Sequence, residues 1–159
     1  MPNGRQSNPM KYAVIERERR FLVSTMPHGA VTARKITDSY LTGTRMRLRE
    51  TVDPDGAVIR KLGHKVRLED GPRVIACTSF YLDDEEWNAL AQLPARQLRK
   101  TRHIIEREGW RFAVDEFADG TLLAEIDEAQ SGSGTCPAWL AVIEEVTDRE
   151  EWTGGALAR

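Results

Sequence analysis

The chain has 159 residues, 40% of them hydrophobic and 30% charged, which is enough for one ordinary domain with its own core and leaves no room for a second. A net charge of −2 excludes a nucleic-acid binder that relies on a broad basic excess, so any anion site has to be local. Cys77 and Cys136 lie far apart without metal-ligand spacing, and no apolar leader or membrane span is visible, so the expectation is a reduced, cytoplasmic protein that engages no membrane.

Residues 1–10 are polar and rich in Pro, Asn and Gly, and read as a flexible amino-terminal tail ahead of a single domain over 11–159. The first strand, Ile15 to Val23, organises the rest. Side chains on a strand alternate faces, so Glu16, Glu18 and Arg20 point one way and Ile15, Phe21 and Val23 the other. Same-face neighbours are about 6.5–7 Å apart, a spacing at which two carboxylates can hold a hard cation with a guanidinium beside it for an anion. A solvated face or a salt-bridge ladder is the alternative on pattern alone.

Turn formers at Ser24–Ala30 lead to strands over Ile36–Leu41 and Arg45–Val52, the latter with Arg45, Arg47 and Arg49 on one face. Asp53-Pro54-Asp55-Gly56 predicts a hairpin into a strand carrying Arg60, Lys61 and Lys65, and Glu69-Asp70-Gly71-Pro72 predicts the turn before a strand over Arg73–Leu82. Asp83 with Glu86 three residues on forms a capping-box pattern ahead of Trp87, Leu90 and Ala91, and Leu93-Pro94 ends that helix.

Three more strands are expected at Leu98–Glu106, Trp110–Phe117 and Thr121–Asp127. The first carries Lys100 and Arg102, the last Glu125 and Asp127. Ser131-Gly132-Ser133-Gly134 reads as a mobile loop, Pro137–Leu140 as a short turn, Val142–Val146 as a last strand and Asp148–Trp152 as a closing helical segment. Several strands thus pair a charged face with an apolar one, and a closed barrel would turn the charged faces into a hydrated lumen. His28, His64 and His103 share no ligand spacing, and the four tryptophans are most economically packing residues.

The Glu-x-Glu-x-basic opening at Glu16, Glu18 and Arg20 resembles the signature of the CYTH superfamily, the triphosphate tunnel metalloenzymes. Asp38-Ser39-Tyr40-Leu41, Arg47-Leu48-Arg49, Lys100-Thr101-Arg102, Asp115-Glu116-Phe117, Leu123-Ala124-Glu125-Ile126-Asp127 and Glu144-Glu145-Val146-Thr147 follow in that family's order, over roughly Tyr12 to Ala158. The resemblance implies a mainly β, α+β fold: an eight-stranded antiparallel barrel with a few packing helices. It further implies a metal-dependent triphosphatase acting on inorganic triphosphate or a nucleoside or thiamine triphosphate, as a monomer or homodimer without nucleic acid. In that reading Glu16, Glu18, Glu125 and Asp127 hold Mg²⁺ or Mn²⁺, and Arg20, Arg47, Arg49, Lys61, Lys100 and Arg102 clamp the phosphate chain. The attacking water is oriented by a second metal or by Lys61, favoured over Arg60 and Lys65 for that role, with Tyr40 a further candidate to touch water or substrate. Adenylate cyclase activity and noncatalytic binding of polyphosphate or nucleotide are the alternatives.

Departures from the family pattern have consequences. Cys77 and Ser79 are neutral where relatives commonly carry inward glutamates, which leaves a more positive lumen. Arg20 replaces the common lysine and changes the geometry of that charge. The stretch between Phe117 and Leu123 is shorter than in many relatives.

Overall fold

The computed structural model describes residues 8–131 and 136–159. The expected tail falls largely at residues 1–7, and most of the expected Gly- and Ser-rich loop at 132–135; both lie outside the described residues.

The chain forms strands β1 (Val14–Val23), β2 (Ala30–Leu41), β3 (Met46–Val52), β4 (Val58–Arg67) and β5 (Val74–Tyr81), then helix α1 (Asp84–Leu90). Strands β6 (Ala95–Arg107), β7 (Trp110–Phe117) and β8 (Leu122–Asp127), helix α2 (Glu128–Ser131), strand β9 (Val142–Glu145), a 3₁₀ turn (Glu150–Trp152) and helix α3 (Gly154–Leu157) complete it. All ladders are antiparallel and run β5-β4-β3-β2-β6-β7-β8-β1; β1 pairs back onto β5, closing an eight-stranded barrel. Closure uses only Val14–Arg17 of β1. Farther along, β1 pairs with β8 over Glu18–Val23 and with the short β9 over Phe21–Val23. The expected fold, a mainly β, eight-stranded antiparallel barrel with a few helices, is the one observed.

The connections follow from their residues. The backbone N–H of Gly56 donates to the Asp53 carbonyl at 2.9 Å, with Gly56 at φ +89°, closing the predicted β3–β4 hairpin. At the β6–β7 connection both central residues, Glu108 (φ +51°) and Gly109 (φ +81°), have the positive φ that a two-residue hairpin of matching twist requires. The capping box at α1 forms in both directions, Glu86 N to Asp83 Oδ1 at 2.8 Å and Asp83 N to Glu86 Oε2 at 2.9 Å.

Alternation divides each strand between two environments. On the face opposite Arg20, Arg102 and Glu125, residues Phe21, Val23, Ile105, Phe112, Val114, Ala124 and Ile126 form an apolar cluster with Leu140, against which Met26, Trp110, Cys136 and Trp139 pack. Trp139 stacks on Phe112 with ring centroids 5.9 Å apart. This cluster lies on the outer wall. Burial of each large apolar side chain there contributes about 1.5–3 kcal/mol, which leaves the barrel interior available for charge.

Two differences from the sequence reading have local causes. Strand β2 begins six residues before the expected Ile36, because residues from Ala30 onward pair with β6 even where their pattern is polar. Residues after Asp127 turn into α2, with Asp127 Oδ1 accepting from Ala129 N at 2.7 Å. No helix among the described residues is long and apolar enough to cross a membrane.

Candidate functional site

The inward faces of β1, β3, β4, β6 and β8 enclose a cavity of about 810 Å³. The β2–β3 connection, Pro72 and Arg73 of the β4–β5 connection, and the carboxyl-terminal stretch from Glu150 to Ala156 complete its wall. Ten basic side chains and four carboxylates line it. A chain with an overall charge of −2 has therefore concentrated positive charge in one place.

Its inner end rests on two aspartates with no solvent exposure, Asp38 on β2 and Asp115 on β7. Register explains their partners, since Asp38 lies opposite Arg49 of β3 and Asp115 opposite Arg102 of β6. Arg49 grips Asp38 with two hydrogen bonds, Nε to Oδ1 at 2.6 Å and Nη2 to Oδ2 at 2.7 Å. Arg102 donates Nε to Asp115 Oδ1 and Nη2 to Asp115 Oδ2, both at 2.7 Å, while Lys100 Nζ reaches Oδ2 at 2.5 Å. Arg102 Nη2 also donates to Glu125 Oε2 at 2.7 Å. Buried charges persist only when paired and hydrogen-bonded, and these forks meet that condition. Burial pushes the Asp38 carboxyl up, but the hydrogen-bonded Arg49 and nearby Arg47 outweigh it and hold the group below its ordinary value.

Arg47 differs from its neighbour. Its Nε is 3.5 Å from Asp38 Oδ1, beyond good hydrogen-bond length, and this buried atom has no hydrogen-bond partner. Burial pushes the Lys100 ammonium below its ordinary value, with Arg102 adding repulsion. Four cations thus sit together at the inner end, held from behind by carboxylates outside the cavity lining.

The carboxylate side is formed by β1 and β8. Glu16 pairs with Lys65 at 2.9 Å, and Glu125 with Arg102. Glu18 is pushed up to about 7, first by Glu125, then by burial, with Glu16 adding to both, while Lys65 and Arg102 pull the other way. For Glu125 burial acts upward, but Arg102, Lys100 and Lys65 prevail and keep it well below the ordinary carboxylate range. Two carboxylates crowded together with too little positive charge between them are the oxygen donor set that a hard divalent cation takes. Among the described residues, no group of three or more His, Cys, Asp or Glu is already arranged to hold a metal. The donor chemistry of Glu16, Glu18 and Glu125 fits such an ion once Lys65 and Arg102 release their carboxylates.

Most of the expected site residues converge: Glu16, Glu18, Arg20, Tyr40, Arg47, Arg49, Lys100, Arg102 and Glu125 all line the cavity. Three assignments need correction. Lys61 lies outside the lining, its ammonium 4.7 Å from the centre of the Tyr81 ring, and it cannot orient water there. Lys65 shares its face and reaches the cavity, four residues or about 13 Å farther along the strand. Asp127 is exposed, also outside the lining, and caps α2. Arg20 lines the wall but spends its guanidinium on the carboxyl-terminal segment, Nη1 to the Trp152 carbonyl at 3.0 Å and Nη2 to the Thr147 carbonyl at 2.8 Å.

Tyr40 is wedged under the same segment. A Cβ at Gly154 would run into the Tyr40 hydroxyl, so only glycine lets α3 lie over the ring. Burial and then Asp38 push this phenol above its ordinary value, which keeps it protonated. The sequence reading assigned no role to Asp38, Asp115, Arg67, Arg73 or Arg96. The two aspartates had a usable signal, since they open Asp38-Ser39-Tyr40-Leu41 and Asp115-Glu116-Phe117 at positions of inward parity.

No family model matches the chain, and no curated protein matches it. Solved structures do. The chain is similar to the crystal structure of the hypothetical protein NE1496, with 27% sequence identity, a TM-score of 0.58, and coverage of 90% of this chain and 97% of that one. It is also similar to a conserved hypothetical protein from Pyrococcus furiosus, at 17% identity and a TM-score of 0.50 over 71% of this chain and 78% of that one, a likeness of fold alone.

Proposed function

We propose that this protein is a metal-dependent triphosphatase whose barrel cavity receives the phosphate chain of inorganic triphosphate or of a nucleoside or thiamine triphosphate. The observation that carries this reading is the gathering of Arg47, Arg49, Lys100 and Arg102 at one end of a cavity whose other side holds Glu16, Glu18 and Glu125. A triphosphate brings roughly four negative charges, and fixed cations in a partly dehydrated site stabilise such a chain and the charge that develops as its bond breaks. Guanidinium forks match phosphate oxygens, and Arg47, whose buried Nε makes no hydrogen bond to Asp38, is less tightly held than Arg49.

In the reaction, Arg47, Arg49, Lys100 and Arg102 bind and orient the chain, with Arg49 and Arg102 fixed by their aspartates. Lys65 on β4, paired with Glu16 as Arg102 is with Glu125, steadies the phosphate on the carboxylate side. Arg20 and Tyr40 hold the carboxyl-terminal segment over the cavity and limit water entry. Mg²⁺ or Mn²⁺ held by Glu16, Glu18 and Glu125 would supply charge neutralisation and acidify a bound water.

A second reading, a phosphate-chain binder without turnover, is favoured by the ion pairs that already occupy Glu16 and Glu125. One screen separates the two: purified protein with inorganic triphosphate, ATP or thiamine triphosphate, with Mg²⁺ or Mn²⁺, assayed for orthophosphate and pyrophosphate. Metal-dependent orthophosphate release that Glu18→Gln abolishes supports hydrolysis. Tight binding without product supports the second reading, and pyrophosphate with a cyclic nucleotide would favour a cyclase.

A further inference from the structure

Arg47 and Arg49 stand two residues apart on β3, both facing the cavity, yet they are held differently. Asp38 saturates Nε and Nη2 of Arg49, at 2.6 and 2.7 Å, while Arg47 Nε stays 3.5 Å away and lacks a hydrogen-bond partner. Asp38 itself has no exposure and does not line the cavity, so it cannot touch a ligand there. Its carboxylate lies behind both guanidiniums. Two like charges on adjacent same-face positions repel each other, and a shared carboxylate behind them offsets that repulsion while fixing one of the pair.

We propose that Asp38 is a positioning residue for anion binding: it locks Arg49 as a rigid fork and attracts Arg47 without a hydrogen bond, leaving the Arg47 guanidinium, which Tyr40 also contacts, the one that shifts to take a phosphate oxygen. The inference rests on the reading of the cavity as a phosphate-chain site and not on turnover. Direct contact belongs to Arg47, and geometry to Asp38. Asp115 stands behind Lys100 and Arg102 in the same manner on β7, separated from β2 only by β6, and hydrogen-bonds both of those cations. The division of labour between a fixed and an available arginine is therefore particular to the Asp38 side.

The test is a double-mutant cycle read by calorimetric binding of inorganic triphosphate to metal-free full-length protein, with Asp38→Asn, Arg47→Ala and their combination. Each single change is expected to weaken binding at least about tenfold, and the double variant by clearly less than the product of the two losses, because Asp38 acts in part through Arg47 and in part through Arg49. Affinity unchanged in Asp38→Asn, or an equal further loss in the Arg47→Ala background, overturns the proposal. Should Asp38→Asn fail to fold, Asp38→Glu, which keeps the charge but moves the carboxylate that Arg49 grips, takes its place in the cycle with the same expectations. Failure of wild-type protein to hydrolyse triphosphate while binding it refutes the triphosphatase reading and leaves this inference standing; failure to bind it at all refutes both.

Discussion

Replacing Glu18 by Gln should stabilise the metal-free protein, increasingly so as the pH rises from about 4.5 to about 7. Glu18 lies against Glu125, and its carboxyl is pushed from an ordinary 4.5 up to about 7. A carboxyl whose folded value lies above its unfolded value disfavours folding once it ionises. The penalty is absent below about pH 4.5, grows between there and about pH 7, and is complete above. At 1.36 kcal/mol for each tenfold in proton affinity, an upper limit of about 3 kcal/mol follows. Glu125 is shifted the opposite way by its cations, so the pair together costs less, and a gain of about 1–3 kcal/mol for Glu18→Gln at pH 8 is expected. Urea unfolding in EDTA at pH 5 and pH 8 measures it. The variant should exceed wild type by only a small part of the full gain at pH 5 and by all of it at pH 8. Added Mg²⁺ at about 100 times its dissociation constant should raise wild type by about 2.7 kcal/mol at pH 8 and the variant by much less. A variant that is equal or less stable at pH 8 would refute the crowding of two carboxylates from which the metal assignment follows.

The corrected lysine assignment makes a paired prediction. Lys61→Ala should leave triphosphate binding and turnover within about twofold of wild type, whereas Lys65→Ala should weaken binding by about tenfold, the worth of a charged contact of roughly 1.4 kcal/mol; titration and steady-state kinetics on the two variants check this. Gly154→Ala should lower stability by about 1–3 kcal/mol, because the added methyl meets the Tyr40 hydroxyl, and Gly154→Ala/Tyr40→Phe should recover part of the loss in a thermal melt.

How far the sequence reaches is clearest at Glu16, Glu18 and Arg20. Alternation correctly placed all three on one face, and the strand's other face, with Phe21 and Val23, correctly belonged to the apolar cluster. Period two says which side a residue faces but not how deep along the strand it sits. Lys61 and Lys65 are equivalent by parity, and only the register of β4 against β5, and of β5 against Glu16 of β1, brings Lys65 to the carboxylates. Asp127 fails for a related reason. It has inward parity and stands opposite Glu18 in register, yet it lies at the end of β8, where the backbone turns and its carboxylate is taken as a cap. Arg20 was placed well and assigned the wrong partner, because the carbonyls of Thr147 and Trp152 come from a segment more than 120 residues away. Asp38 is the single acidic residue of β2, and Asp115 follows the apolar run Phe112 to Val114 in β7 with inward parity. Their task behind the arginines follows only from which strands become neighbours.

The most direct test of the account is a crystal structure with Mn²⁺ and a nonhydrolysable triphosphate analogue, with the metal located by anomalous scattering. The account predicts one or more peaks against Glu16, Glu18 and Glu125, with Lys65 and Arg102 withdrawn from their carboxylates, and phosphate oxygens on Arg47, Arg49, Lys100 and Arg102. Metal on Asp127 or elsewhere on the surface, or a cavity that leaves the analogue in solution, would contradict it.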